Sequence, residues 1–251
     1  MFPRVVFAPS CAEESFHLTA KAFNLAEKYQ IPVIILTDQY LSDSYSTTAE
    51  FNLSTMKIKR GEIVSEEELR KNGKYKYLRY KITSSGVSPR VFPGTPNALV
   101  AADSDEHTQE GHITESADVR NKMVEKRLRK LKGVLKEISP PKTFGPEKAG
   151  IVLVSWGSTF GALKETVSTL NSQGRTTKMI HFSEVWPFPV NAFVKKLGNF
   201  KELIVVESNP TGQMANLITA ETGLTVNKRI LRFDGRPLTP KYIIDKLSME
   251  A

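Results

Sequence analysis

Apolar and polar positions along this chain change their period several times. Residues 4–8, RVVFA, form a short apolar run and predict a buried strand. Ser10 and Glu13 then stand at S-x-x-E capping-box spacing, ahead of a helix reaching about Tyr29. Within it Phe16, Ala20, Phe23 and Ala26 recur three and four positions apart. Pro32 opens IPVIILTD, whose unbroken apolar run predicts a strand covered on both faces. Residues 1–42 thus read as one βαβ unit, too small to bury a core alone.

Regularity fails over residues 43–145, which are polar, turn-rich and largely aperiodic. A connection this long packs onto another domain or carries function. Near its end Ser116 can cap a helix running to about Ile138, closed by Pro140-Pro141. Helical spacing there puts Val124, Leu128, Leu131 and Leu135 on one stripe, with the basic residues of KRLRKLKGVLK opposite.

Residues 146–251 alternate clearly. GIVLVS, TTKMIHF, ELIVVES and KRILRF predict strands. Between them lie helices from about Ser158 (with Leu163, Val167 and Leu170 on one face), at VNAFVKKL and near QMANLITAET, and a last one from Pro240. Strand–helix alternation implies an α/β fold with a doubly wound parallel sheet.

Composition narrows the function classes. The 251 residues carry 35 Lys+Arg against 27 Asp+Glu, a net charge of +8. No aromatic residue interrupts the basic run to stack on bases, which argues against a nucleic-acid partner. No apolar stretch approaches the roughly 20 residues of a membrane span, and the start MFPRVVFAPS lacks a signal-peptide core, so a cytoplasmic protein without membrane contact is expected. Cys11 is the one cysteine, which excludes a Cys-ligated iron–sulfur cluster or Cys₄ zinc site carried by this chain alone.

Three stretches carry candidate chemistry. DSDEHTQEGH, residues 103–112, misses the EF-hand pattern because Thr108 stands where a glycine belongs and Thr114 where a glutamate belongs. His107 and His112 are five apart, poor spacing for one helix face, so no metal is expected. Two readings stay open: a polar surface loop, or a loop that enters an active site. Lacking apolar area, its side chains should cost about 0.5 kcal/mol or less to replace. SWGSTFG offers Gly157 and Ser158 at a strand–helix turn, and ESNPTGQM offers Asn209, Gly212 and Gln213 at another. DGRPLTP adds Arg236. These are ordinary turns or, since open α/β sheets bind ligands beyond their strand ends, the lining of one anion-binding crevice.

Several stretches in order, PRVVFAPS, AFNLAEKYQIPVIILTDQYLSDS, YLRYKITSSGVSPRVFPGT, SDEHTQEGHITESADVRNKMVEKRLRKL, WGSTFGALKE, ESNPTGQM and GRPLTP, resemble the α subunit of a 2-oxoacid:ferredoxin oxidoreductase, closest to the 2-oxoglutarate type. The resemblance implies oxidative decarboxylation of a 2-oxoacid on thiamine diphosphate, acyl transfer to coenzyme A and reduction of ferredoxin. It places thiamine diphosphate, Mg and a 4Fe-4S cluster in a partner β subunit, none of them bound by this chain alone. Consistent with that, the G-D-G…N diphosphate pattern is missing here. Residues 1–42 would be the end of a pyrimidine-binding domain, 43–145 a linker and 146–251 a domain of transketolase C-terminal type. The family's main catalytic residues lie upstream of this sequence, so none is assigned, and the chain reads as a split subunit or a truncated piece. Asp105, Glu106 and His107 would contact substrate or coenzyme A, or hold their loop. Implied partners are the β subunit and a γ subunit or separate N-terminal α half, with ferredoxin reached through the complex. The alternative is a non-catalytic assembly module.

Overall fold

The computed structural model describes residues 2–73 and 76–248; Lys74, Tyr75 and the last three residues of the predicted C-terminal domain lie outside the described residues. By internal contacts the chain forms two units built from alternating segments. The sheet unit comprises Val6–Thr19, Ile34–Phe51 and Ile138–Ala251; the helix–loop unit comprises Met1–Val5, Ala20–Val33 and Asn52–Glu137.

The sheet unit is built on five strands, β3 (Lys142–Phe144), β4 (Ile151–Trp156), β5 (Thr177–Phe182), β7 (Glu202–Glu207) and β8 (Lys228–Leu231). Their order is β3-β5-β4-β7-β8, parallel except for β3, a short antiparallel edge against β5. Strand side chains alternate between faces, and both faces are apolar. Val152, Val154, Ile180, Phe182, Leu203 and Val205 face helices α6 (Val190–Leu197) and α7 (Gln213–Thr222). Leu153, Met179, Ile204 and Val206 face α5 (Phe160–Ser172) and α8 (Pro240–Ser248), where Leu163, Val167 and Leu170 are fully buried. This is the doubly wound α/β arrangement that the alternation predicts. Buried Lys178 closes the end of α6, its Nζ donating to the carbonyls of Lys196 and Leu197, each at 2.7 Å. Helix C-terminal carbonyls lack intrahelical partners, and a cation suits that end of the dipole.

A second sheet has the order β2-β1-β6, from β1 (Val5–Phe7), β2 (Val33–Ile35) and β6 (Glu184–Trp186). Helix α1 (Ala12–Tyr29) links β1 to β2, giving the expected βαβ unit. Two details differ from expectation. Ser10 is held by Glu14 and not Glu13: its N–H and hydroxyl both donate to Glu14 Oε2, at 2.8 and 2.7 Å. Strand β2 is not covered on both faces, since Ile34 is exposed and none of its three residues is fully buried.

In the helix–loop unit, α4 (Ala117–Leu135) starts where Ser116 Oγ accepts the Val119 N–H. Its buried residues are Met123, Lys126, Lys130 and Val134, whereas Leu128 and Leu135 are exposed. The apolar stripe read from sequence therefore does not mark the buried face. Helix α1 repeats the mismatch: Leu18, Ala22, Leu25 and Tyr29 are buried, while Phe23 is 69% exposed. The unit is instead stitched by polar contacts. Gln30 adopts the left-handed backbone conformation (φ +52), uncommon for a side chain with Cβ. Its groups tie three segments together: Arg79 donates to its Oε1 at 2.8 Å, its Nε2 donates to the Ser88 carbonyl at 2.7 Å, and Lys130 Nζ donates to its carbonyl at 3.0 Å. A short helix α3 (Glu66–Asn72) precedes this region, and α2 (Gln39–Asp43) belongs to the sheet unit.

Candidate functional site

The polar decapeptide ends in a tight hairpin within the helix–loop unit. Thr114 N–H donates to the Glu106 carbonyl at 2.9 Å, and Thr108 N–H to that of His112 at 2.8 Å. Gly111 turns the chain at φ +105, and a Cβ there would lie 2.2 Å from the Ala101 carbonyl oxygen, so only glycine fits. Gln109 moors the tip: its carbonyl accepts from Tyr80 N–H at 2.9 Å, and its Oε1 accepts from Ile82 N–H at 2.7 Å.

Of the three predicted contact residues, Glu106 is committed internally. Arg127 on α4 grips it with two parallel hydrogen bonds, 3.0 and 2.7 Å, and Arg120 reaches it at 3.3 Å. Its side chain is 8% exposed. The Arg127 bonds hold its carboxyl below the ordinary range, against the upward push of burial. It is an ionised acceptor that braces the hairpin, so the small cost expected for replacing it does not apply; that expectation fits exposed Asp105. The His107 ring stacks on Tyr80 at 3.7 Å between centroids. Its Nδ1 lies 3.2 Å from the Thr108 carbonyl, which can only accept, so Nδ1 carries the proton. Among the described residues, no three His, Cys, Asp or Glu side chains converge as metal ligands would.

The second candidate lies in the sheet unit, beyond the carboxyl ends of β4 and β7. Both turns already contain carboxylates of the chain itself. The Ser158 hydroxyl donates to Asp38. At the mouth of α7, fully buried Glu207 accepts from the N–H groups of Met214 (2.9 Å) and Ala215 (3.2 Å), from Trp156 Nε1 (3.3 Å) and from Asn209 Nδ2 (2.7 Å). Asn209 Oδ1 takes the Gly212 N–H at 2.8 Å and the Gln213 N–H at 3.2 Å. A phosphate at a helix start needs those same donors; here Glu207 and Asn209 hold them. Asn209 and Gly212 are therefore internal struts. Gly157, Ser158 and Gln213 do meet, lining a cleft of about 300 Å³. Ser158 and Arg236 meet in a neighbouring cavity of about 620 Å³, with Asp38, Ser208 and Arg232. Sequence reasoning missed Asp38 and Arg232; the signal available for Asp38 was its place just after a strand.

Residues 1–126 match the family described as pyruvate flavodoxin/ferredoxin oxidoreductase, thiamine diphosphate-binding, and residues 149–243 match pyruvate:ferredoxin oxidoreductase core domain II. The chain is 37% identical over 241 residues to the α subunit of 2-oxoacid:ferredoxin oxidoreductase 1 of Sulfurisphaera tokodaii, covering 94% of this chain and 37% of that protein. It is 26% identical over 213 residues to the 2-oxoglutarate synthase subunit KorA of Archaeoglobus fulgidus, covering 85% of this chain and 52% of that one. The chain thus spans little more than a third of the first relative's length. Among solved structures, a 2-oxoglutarate:ferredoxin oxidoreductase from Magnetococcus marinus, with 2-oxoglutarate, coenzyme A and succinyl-CoA bound, superposes with a TM-score of 0.88 at 31% identity, covering 98% of this chain and 42% of that one.

Proposed function

Because the chain belongs to the pyruvate flavodoxin/ferredoxin oxidoreductase family, thiamine diphosphate-binding, we propose that it works as part of the α subunit of a 2-oxoacid:ferredoxin oxidoreductase, acting on 2-oxoglutarate. The overall reaction is decarboxylation of the acid on thiamine diphosphate, transfer of the acyl group to coenzyme A and delivery of two electrons to ferredoxin. The observation that carries this reading is the likeness to the Magnetococcus marinus enzyme over 98% of the chain. Thiamine diphosphate supplies the electron sink for decarboxylation when bound; its diphosphate, its magnesium and the iron–sulfur cluster belong to a β subunit. The grounds are the single cysteine and the missing diphosphate pattern in this sequence.

This chain's part is to present the hairpin. Glu106 fixes its base, Gln109 fixes its tip, and exposed Asp105 is the side chain left to meet substrate or coenzyme A. His107, stacked on Tyr80, keeps Nε2 for a further contact. A cytoplasmic location and protein partners, without nucleic acid or membrane, go with this role. Among the described residues no helix is long and apolar enough to cross a membrane.

A second reading, a non-catalytic assembly module, is favoured by exposed Phe23, Leu128 and Leu135, a kind of surface that suits subunit contact. One experiment separates the two. The complex is purified from its native host and rebuilt with Asp105→Ala or His107→Ala, and oxoacid-dependent ferredoxin reduction is followed against coenzyme A concentration. A fall of about tenfold or more in kcat/KM, about 1.4 kcal/mol, with unchanged assembly supports the catalytic role. Unchanged kinetics in both variants leaves only the module.

A further inference from the structure

The helix–loop unit contains a cavity of about 750 Å³ that the reading above does not use. Six cationic side chains line it: Lys28, Lys59, Arg60, Arg129, Lys132 and Lys136. The lining holds one carboxylate, Glu62, while Glu137 close by is engaged by Lys28 at 2.6 Å and by the Tyr29 hydroxyl at 2.5 Å. Arg129, Lys132 and Lys136 stand at i, i+3 and i+7 along α4 and its end, successive steps of three and four residues that make helix neighbours.

Two further observations point to a ligand. Arg129 is half-buried with no carboxylate: Nη2 has one long bond, 3.3 Å, to the Thr83 carbonyl, and its buried Nε finds no acceptor among the described residues. A partly buried guanidinium with one donor unmatched and no carboxylate bonded to it is ready to meet an anion. Second, Gly133 sits on this wall against the Tyr29 ring, where a Cβ would come within 2.8 Å of Cε1. The glycine leaves Tyr29 and Val87 as an apolar floor between the cations, with the hydroxyl-bearing Ser84 and Ser85 also in the wall.

We propose that this cavity binds an organic polyphosphate, a nucleoside diphosphate or a molecule of like build. The cations of α4 take the phosphates, and the ring system lies toward Tyr29 and Val87. The volume falls within the roughly 300–1,000 Å³ of small-molecule sites, and a fork of guanidinium donors suits phosphate oxygens. A simple phosphate would use the charge and leave the apolar floor bare.

The test is calorimetric titration of the purified full chain with ADP, tripolyphosphate and inorganic phosphate at fixed ionic strength. ADP should bind at least tenfold more tightly than inorganic phosphate. Lys132→Gln with Lys136→Gln, both exposed and therefore safe for folding, should weaken ADP at least tenfold, and Arg129→Gln should do the same. Lys164→Gln with Lys195→Gln, two lysines of the sheet unit, should leave it unchanged. Tripolyphosphate as tight as ADP would make the site a bare charge trap and overturn the organic ligand. ADP binding absent, or insensitive to the α4 variants, would overturn the site itself.

Discussion

The five-stranded sheet and helix α4 use their apolar residues in opposite ways. In the sheet unit the side chains that look like core are core: Leu163, Val167 and Leu170, on the inner face of α5, are completely buried. On α4 the residues that look like core, Leu128 and Leu135, stand in solvent, while Lys126 and Lys130 are buried. The sheet is thus saturated by its own chain, whereas the helix keeps apolar surface unspent and holds itself with charge and hydrogen bonds. A region finished by its own sequence and a region awaiting company can lie in one polypeptide.

Four measurements would break or sharpen that contrast. The largest effect should come from Leu163→Ala, which leaves a void in a sealed core and should cost about 2–5 kcal/mol by denaturant unfolding. A loss under 1 kcal/mol would mean the sheet is not saturated. Next, Glu106→Ala should cost about 1.5–3 kcal/mol, because it strands Arg127 and unties the hairpin. Asp105→Ala, at an exposed position, should stay within about 0.5 kcal/mol.

The third measurement is stability against pH, where the regions should diverge. In the sheet unit, burial and the nearby Lys142 push His181 down to about 3, with Glu14 opposing them. Its folded pKa is therefore below the unfolded 6.5, so its contribution is intact above pH 6.5 and is lost on acidification toward 3. Glu14 adds a second loss. Burial pushes it up, but hydrogen bonds from Lys142, Ser10 and Ser183 prevail and bring it to about 2, so its stabilisation disappears from pH 4.5 down to 2. In the helix–loop unit, Lys126 and Lys130 are pushed down to about 8, chiefly by burial and then by neighbouring cations. Their folded pKa values lie below the unfolded 10.5, so the unit should gain stability as pH rises from 8 to 10.5, by about 1 kcal/mol or more. Lys126→Met and Lys130→Met should flatten that rise; a rise that persists in both would assign it to other groups. The smallest effect should be Leu128→Ala, about 0.5 kcal/mol or less in the chain alone.

Legibility followed the same divide. GIVLVS, TTKMIHF, ELIVVES and KRILRF each became a strand because burial on both faces leaves a short, largely apolar run in the sequence, and those faces are filled by helices nearby in sequence. The stripes on α1 and α4 misled because periodicity reports which residues share a face and says nothing of what covers it. Strands β3 and β6, three residues each, are too short for any period to register. At the candidate sites, residue types pointed to the hairpin. Its anchors did not show, since Arg127 lies 21 residues after Glu106 and Tyr80 well before it. Likewise Glu207 looked like the end of a strand, and only the fold reveals it as the anion already seated at α7.

The long ties of the helix–loop unit set an order of assembly. Lys28 pairs with Glu137 across 109 residues, and Lys130 reaches Gln30 across 100. Contacts this remote close large loops and are slow to find. During synthesis the second half of α1 must wait, with Tyr29 unsheltered, until α4 has emerged. The five-stranded sheet, whose strands run from Lys142 to Leu231, emerges only after α4 and closes from segments that lie near one another in sequence. This makes the interval between α1 and α4 the period when the nascent chain offers most to a chaperone.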